Sequence, residues 1–398
     1  MAQQERLRAL EYAKSLVECL SGNIEEPLPQ ERRARAVRTA TALAQSLMTP
    51  DEGLFRVAFS PAVWVSVRIC AELGVFAVIS NSSPASAKHI ATQTNADESL
   101  IRRFLRVLTA AGYVDEVGDG VYGSTKWTRH MQSRLADGMI KFTYDNAMPQ
   151  MVEAPKWFKM RGYNNPPDPS DGLFQAAFNT QDLPFIWLAR PENKEYFDNG
   201  NTFFEGSGGP HPPWVTWFPV AEKFLSEPRK SQEPLLVDIG GGRGQSLQEF
   251  IDRFPEESGP FVLQDQEAVL KSATSLAIKA EKRALDFFCD SPVTGARIYY
   301  MKSVMHDWVD KDCVRILKSV ASSMTRGYSY LVLNEFILPD IGCALLPATA
   351  DIMMMAFVSG MERSETQWVK LLTAAGLAIE GFYQPPNDGQ GIIVATLA

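Results

Sequence analysis

The sequence predicts an α/β protein, with a doubly wound, mostly parallel sheet that ends in an antiparallel C-terminal hairpin. A helical domain with the helix-helix-hairpin order of a winged helix precedes it. Three observations carry this reading. From Pro234 onward, short apolar runs alternate with amphipathic segments, as expected of buried parallel strands between helices. The last two runs, LAIEGFYQ and GIIVATLA, are joined only by the turn residues PPNDG, too few for a helical crossover. Before residue 230 the apolar residues recur at helical spacing. The 398 residues accommodate two or three domains, which we place at 1–130, 131–230 and 231–398.

The elements follow in order. Residues 1 to 60 place Leu7, Leu10, Ala13, Leu16, Val17 and Leu20 at helical spacing, and Pro27 and Pro29 break the pattern, so two or three helices fit. PAVWVSVRICAELGVFAVIS reads as a buried helix ending near Gly74; Arg68 and Glu72 make it too polar for a membrane span. Two short amphipathic helices and a turn-rich hairpin around Gly118 and Gly120 come next. On the second helix Leu100, Ile101, Phe104, Leu105 and Leu108 form the apolar stripe, with Arg102, Arg103 and Arg106 on the opposite face. Such a face suits DNA, but a net charge of −8 and a pI near 5.3 repel a phosphate backbone. A structural or dimerising role is therefore predicted, with no nucleic-acid partner. Residues 131–224 are rich in aromatics, and Tyr144, Asn146, Met148, Phe178 and Trp187 are candidates to line an organic substrate pocket, with His211 a loop residue that could face it. Met353 and Met354 read as core and Met355 as the methionine that touches substrate.

After Pro234, PLLVDI is a strand, GGGRGQSLQEFIDRF a glycine turn and helix, and FVLQD a second strand ending in Asp265. EAVLKSATSLAI reads as a helix and ALDFF as a third strand; ARIYYMKSVM, DKDCVRILKSVASSM and YSYLVLNEFIL continue strand, helix, strand, and SETQWVKLLTAAG precedes the hairpin. A strand-glycine-helix turn brings backbone and a helix N-terminus close to a ligand. Asp265 stands 25 residues after Gly240, where an acid accepts hydrogen bonds from ribose hydroxyls. A dinucleotide fingerprint starting at Gly240 requires glycine at 245, and Gln245 stands there, which favours S-adenosylmethionine over NAD.

Composition sets the outer limits. Hydrophobic residues at 45% and charged residues at 22% exclude wholesale disorder. Five scattered cysteines without C-x-x-C spacing suggest a reduced compartment and no metal site. The charged N-terminus lacks the apolar region of a secretory signal, so a cytoplasmic location is expected.

The turn in LLVDIGGGRG, the LQD strand end, LDFF, the block YYMKSVMHDWVDKDCVRIL, LVLNEFILPD and the tail DIMMMAFVSGMERSETQWVKLLTAAGL together resemble the fungal branch of the plant-type small-molecule O-methyltransferases, the group of the caffeic-acid and hydroxyindole enzymes. The resemblance implies a class I methyltransferase domain behind a dimerisation domain, acting as a metal-free homodimer on a small aromatic or polyketide substrate. By position it implies that Gly240, Gly242, Asp265, Gln266, Asp286, Phe287 and Lys302 hold S-adenosylmethionine, Asp265 at the ribose and Asp286 and Phe287 at the adenine. His306 matches the general base, and Glu335 and Glu362 the carboxylates that flank it. A phenol with a pKa near 10 needs such a base at pH 7, and histidine at its ordinary pKa of about 6.5 is neutral and available there. The plain reading of His306-Asp307-Trp308 is a helix start, with Asp307 or Asp310 capping and Trp308 packing. The resemblance also admits a pericyclase that uses the bound sulfonium and Lys302 electrostatically. His306, Glu335 and Glu362 together favour methyl transfer.

Overall fold

In the computed structural model, which describes residues 3–22, 26–206, 212–228, 232–273, 280–386 and 389–398, the chain divides into two units, Met1–Tyr144 and Asp145–Ala398. The first holds α1 (Gln3–Leu20), α2 (Gln30–Leu47), α3 (Pro50–Glu72), α4 (Val75–Asn81), β1 (Ala85–Ser86), α5 (Ala87–Thr94), α6 (Glu98–Ala110), β2 (Asp115–Gly118), β3 (Val121–Gly123), α7 (Lys126–Met131) and the start of α8 (Arg134–Arg161). Helix α3 starts eleven residues before the expected Pro61, because Thr49 and Glu52 form a capping box: Thr49 Oγ1 accepts from Glu52 N, and Glu52 Oε2 from Thr49 N at 2.7 Å. It ends before Gly74, whose φ of 70° turns the chain into α4. By length and composition α3 also passes for a membrane span; towards its C-terminal end Ser66, Val67 and Cys70 are buried, the last two in the core of the N-terminal unit.

The α6 stripe behaves largely as its periodicity requires. Ile101, Leu105 and Leu108 are fully buried with Phe76, Ile79 and Ile90, while Leu100 remains 40% exposed. Two helices and a hairpin follow one another here, and β1 adds a third strand in the order β1-β3-β2. On the opposite face Arg102 bonds Glu98 and Asp119, both at 3.2 Å, so acids of the same unit already hold it. All five cysteines are free.

The second unit begins with α9 (Leu173–Phe178), α10 (Pro184–Leu188), α11 (Lys194–Gly206) and α12 (Trp214–Trp217). It continues with β4 (Leu236–Ile239), α13 (Gln245–Arg253), β5 (Phe261–Asp265), α14 (Glu267–Ser272), β6 (Ala280–Ala284), β7 (Ile298–Lys302), α15 (Asp310–Ser323) and β8 (Tyr330–Glu335). The chain closes with β9 (Ile337–Leu338), α16 (Leu345–Val358), β10 (Arg363–Ser364), α17 (Glu365–Ala374), β11 (Leu377–Tyr383) and β12 (Gly391–Leu397). Seven strands form one sheet in the order β11-β12-β8-β7-β4-β5-β6. Strands β4 to β8 pair in parallel, whereas β12 runs antiparallel to both β8 and β11. The order reverses between β4 and β7, the switch point where open sheets bind ligands.

Both faces of this sheet are buried, which explains the continuous apolar runs. Val237, Ile239, Tyr299, Met301, Leu331 and Leu333 face one core with Ile316, Leu317 and Trp368 of α15 and α17. Their neighbours Leu236, Ile298, Tyr300 and Val332 face the other, with Trp214, Leu247 and Phe250. Each such side chain contributes about 1.5–3 kcal/mol by leaving water. The third strand departs from expectation. It is AEKRA rather than ALDFF, because an edge strand with mostly exposed side chains carries no apolar signature, and LDFF instead turns over the strand end. The expected second helix is present as α14; residues 274–279, like His211 and residues 387–388 of the PPNDG turn, lie outside the described residues.

Candidate active site

At the mouth of β4 the backbone builds a cradle. Gly240, Gly242 and Gly244 have φ of 67°, 60° and 85°, conformations that side chains rarely adopt. A Cβ on Gly240 would lie 2.8 Å from Val304 Cγ2, and one on Gly241 2.5 Å from Asp238 Cγ. Asp265, at the end of β5, accepts from Gly242 N at 2.8 Å and Gln266 N at 2.6 Å. Burial pushes its carboxyl up to about 6, against the pull of those two bonds. Gln266 is exposed at the N-cap of α14.

Asp286 and Phe287 occupy the turn after β6. The exposed Asp286 accepts from Phe288 N at 2.9 Å, and Phe287 stands edge-on to Trp308 with ring centroids 6.1 Å apart. Phe287 also reaches the glycine turn, 3.9 Å from the place a Gly240 Cβ would take. Lys302, at the end of β7, is half-buried on the α13 face of the sheet. Desolvation lowers its pKa, and the charges of Glu249 and Asp238 oppose that shift. Asp238 is itself buried and pushed up to about 7, first by desolvation and then by Asp265.

His306 lies in a 3-10 turn, Met305–Asp307, just after β7. Its Nδ1 is 2.8 Å from Glu362 Oε1 and 3.8 Å from Glu335 Oε2, and its Nε2 is 3.5 Å from Asp307 Oδ1. Glu335 ends β8, and its Oε1 accepts from Val304 N at 2.9 Å and Met305 N at 2.8 Å. Val304 therefore touches both halves of the site, its side chain against Gly240 and its N–H on Glu335. Burial alone would lower the His306 pKa; Glu362, Glu335 and Asp307 outweigh it and raise the value to about 10. The expectation of a neutral His306 at pH 7 is thus corrected, since it rested on the ordinary value and ignored three acidic neighbours. Desolvation likewise pushes Glu335 up to about 7 and Asp307 to about 6, in each case against the pull of His306.

The plain helix-start reading of this tripeptide also gives way. Neither aspartate caps α15, whose N-cap is Val309 without a side-chain bond. Asp307 is folded into the cluster, and Asp310 binds Arg363. Only Trp308 behaves as that reading requires, packed against Phe288 with centroids 4.8 Å apart.

Sequence reasoning missed the segment that backs this turn. Met361 N donates to His306 O at 2.9 Å, and a Cβ on Gly360 would stand 2.0 Å from that same carbonyl. The fully buried Arg363 donates to Met305 O at 2.9 Å and Trp308 O at 2.8 Å. Asp351 Oδ1 accepts from Glu362 N at 2.8 Å. The only available signal was an arginine placed directly after the predicted Glu362.

The pocket candidates separate. Tyr144 belongs to the N-terminal unit, its ring 6.2 Å from that of Trp64. Asn146 is buried and accepts from Gln150 Nε2 through its Oδ1 at 3.1 Å, whereas Met148 is half-buried on α8. Phe178 and Trp187 lie with ring centroids 4.8 Å apart, tilted by 44°, in an aromatic cluster with Phe174 and Tyr196. Phe174 carries the cluster to Phe357 at the end of α16, 5.7 Å away. Met355, also on α16, packs against Trp157, Leu173 and Ala356.

Among the described residues, one set of groups has metal-ligand spacing. His306, Glu335 and Glu362 each offer a donor atom within 4.8 Å of the others.

Comparison with known proteins adds independent findings. Residues 216–378 match the model of an O-methyltransferase domain, and residues 56–133 that of an O-methyltransferase dimerisation domain. The chain is 33% identical to the O-methyltransferase penC of Penicillium thymicola over 380 residues, 94% of each chain. Among solved structures it is similar to LepI in complex with SAM, at 25% identity and a TM-score of 0.87 over 100% of both chains. It is also similar to a pericyclic reaction enzyme, at 25% identity and a TM-score of 0.88 over 98% of this chain and 100% of that one.

Proposed function

The chain belongs to the O-methyltransferase family, and from that premise we propose that it methylates a hydroxyl of a small phenolic or enolic substrate, with His306 as the general base. One observation supports this most: a histidine bonded to a buried carboxylate at 2.8 Å stands two residues beyond Val304, which itself closes on the glycine cradle.

The cradle fits S-adenosylmethionine. Gly240 has no room for a side chain, Asp265 presents a half-buried carboxylate beside Gly242 N, and Lys302 is a half-buried cation at the same strand ends. Asp265 would take the ribose, Asp286 and Phe287 the adenine, and Gly242, Gln266 and Lys302 would complete the set. Bound there, the cofactor supplies a methyl carbon activated by a sulfonium. The protein's task is to align an acceptor oxygen with that carbon and to remove its proton.

His306 Nε2 is the atom for the proton, because Nδ1 is engaged with Glu362 and Asp307 lies beyond normal hydrogen-bond length from Nε2. Glu362 fixes the tautomer, and Glu362 and Glu335 stabilise the imidazolium. With its pKa raised to about 10, His306 rests as the imidazolium at pH 7. The reactive complex must lose one proton: neutral imidazole with phenol, or imidazolium with phenolate, the same composition. A base of this strength is matched to a phenol, near pKa 10. We read the three-donor set as holding protons rather than a metal ion, since an Nδ1 that donates to Glu362 has no lone pair for a metal. A chelator should leave turnover unchanged.

In this proposal residues 1–130 serve a homodimer through a winged-helix-like domain, 131–230 cover the substrate and 231–398 hold the cofactor in a cytoplasmic enzyme. The aromatic cluster around Phe178 and Trp187, continuous with α16, suits a flat apolar substrate. Likeness to a pericyclic reaction enzyme supports a second reading, in which the sulfonium and Lys302 polarise a substrate and nothing is transferred. Incubation with S-adenosylmethionine and a panel of phenols and enols separates them. One S-adenosylhomocysteine per product is expected; turnover with the cofactor intact would establish the second reading.

A further inference from the structure

We propose that Arg363 is a positioning residue, which holds the His306 turn in place against Glu362. The proposal rests on the reading of His306 as the base, and extends it to a group that touches neither substrate nor cofactor.

The guanidinium is 1% exposed, and apart from a long bond from Nη1 to Met361 O at 3.5 Å its donors go to one short stretch of chain. Nη1 donates to Met305 O at 2.9 Å and Nη2 to Trp308 O at 2.8 Å, the carbonyls on either side of His306. Nε and Nη2 meet Asp310 Oδ1 at 3.0 and 2.8 Å, just beyond the turn. Between them, His306 O is taken by Met361 N at 2.9 Å, with Gly360 pressed so close that no side chain fits. Met305, His306 and Trp308 are therefore all gripped by residues 360–363.

Arg363 is fixed in turn by the strands that carry the carboxylates. In β10 it pairs with Ile337 of β9, two residues beyond Glu335, and Glu362 precedes it directly. One residue thus links the segments bearing His306, Glu335 and Glu362. Packing does not require a charge here. The neighbour on one side is the Trp368 ring, 5.6 Å from the guanidinium carbon, and burying a cation costs several kcal/mol that an apolar side chain of similar volume would avoid. A planar fork with divergent donors is the group able to reach two carbonyls and a carboxylate at once, which an ammonium cannot do. A displacement of about 1 Å at a reacting group costs roughly 10²-fold in rate, so fixing this turn has kinetic consequence.

The test compares wild type, Arg363→Ala and Arg363→Lys as purified full-length proteins. Arg363→Ala should lower kcat by about 30- to 100-fold, as expected for a base misplaced by up to 1 Å, with the calorimetric Kd for S-adenosylmethionine within about twofold of wild type. Methylguanidinium should restore part of that rate by filling the vacated site. Arg363→Lys, which keeps the charge and guards against failure of the alanine variant to fold, should still lose about tenfold. The downfield proton NMR signal of His306 Nδ1–H, assigned by its loss in His306→Gln, should shift upfield or broaden in both variants. That signal reports positioning whether or not His306 is the base; full turnover by His306→Gln would sink the functional reading alone. An unchanged signal with unchanged kcat, or a Kd that rises in step with the loss of rate, overturns the proposal.

Discussion

The two halves of the site stand side by side and are made of different materials. At the end of β4 the cradle consists of backbone: three glycines at positive φ, amide groups free of side chains, and a single carboxylate locked by Gly242 N and Gln266 N. After β7 the turn consists of buried charge: His306 among Glu335, Glu362 and Asp307, with Arg363 behind. The contrast fits the tasks we propose for the two halves. A cofactor must be admitted and released, so the cradle offers shape and a few hydrogen bonds. A proton must be drawn from a weak acid, so the turn concentrates negative charge around one imidazole and excludes water, where charges interact strongly. Substitutions in the cradle should therefore alter binding, and substitutions in the turn should alter rate.

The largest effect should come from the turn. His306→Ala removes the base and should lower kcat by roughly 10²- to 10⁴-fold, with cofactor affinity by calorimetry unchanged within about twofold. Equal loss of affinity would dissolve the division between the halves. Next comes the cradle. Asp265→Ala removes a charged acceptor worth about 1.5–3 kcal/mol, or roughly 10- to 150-fold in Kd for S-adenosylmethionine. Saturating cofactor should recover most of kcat. Gly240→Val acts in the same direction for a different reason, since its φ of 67° and the 2.8 Å approach to Val304 leave no place for a side chain.

The last effect concerns stability. The folded-state pKa of His306, about 10, exceeds the ordinary 6.5, so the folded protein holds this proton more tightly. That contribution is complete below pH 6.5 and is lost as pH rises through 10. Thermal unfolding of wild type and His306→Gln from pH 6 to 10 should show a Tm advantage of wild type that shrinks with rising pH. An advantage that grows would contradict the raised value.

The same contrast explains what the sequence disclosed. Glycines, a strand-ending aspartate and apolar runs are local signals, and Gly240, Asp265 and the strands of the seven-stranded sheet were legible because each is defined by its immediate neighbours. The exception was β6, where AEKRA at the sheet edge carries no apolar pattern and LDFF attracted the assignment instead. The turn was legible only in part. His306, Glu335 and Glu362 emerged as a set through family resemblance, being 29 and 56 residues apart from the histidine. Their electrical state did not emerge, because it depends on how far each is buried and on Asp307, which the local sequence presents as a helix cap. Arg363 was invisible for a related reason: nothing near it in the chain distinguishes a guanidinium bonded to distant carbonyls from one in solvent.

The pH dependence of kcat/KM, measured for wild type and Glu362→Gln with the same phenol, tests most directly the claim that buried carboxylates set the proton affinity of the base. Since imidazolium and phenol must together lose one proton, log kcat/KM for wild type should climb with a slope of about one through neutral pH, toward the lower of the two pKa values, about 10 for either partner. Removing the Glu362 charge lowers the proton affinity of His306, so the plateau of Glu362→Gln should begin at lower pH. A wild-type profile already flat above about pH 7, with no displacement in Glu362→Gln, would show that His306 titrates like an ordinary histidine and that the carboxylates do not govern it.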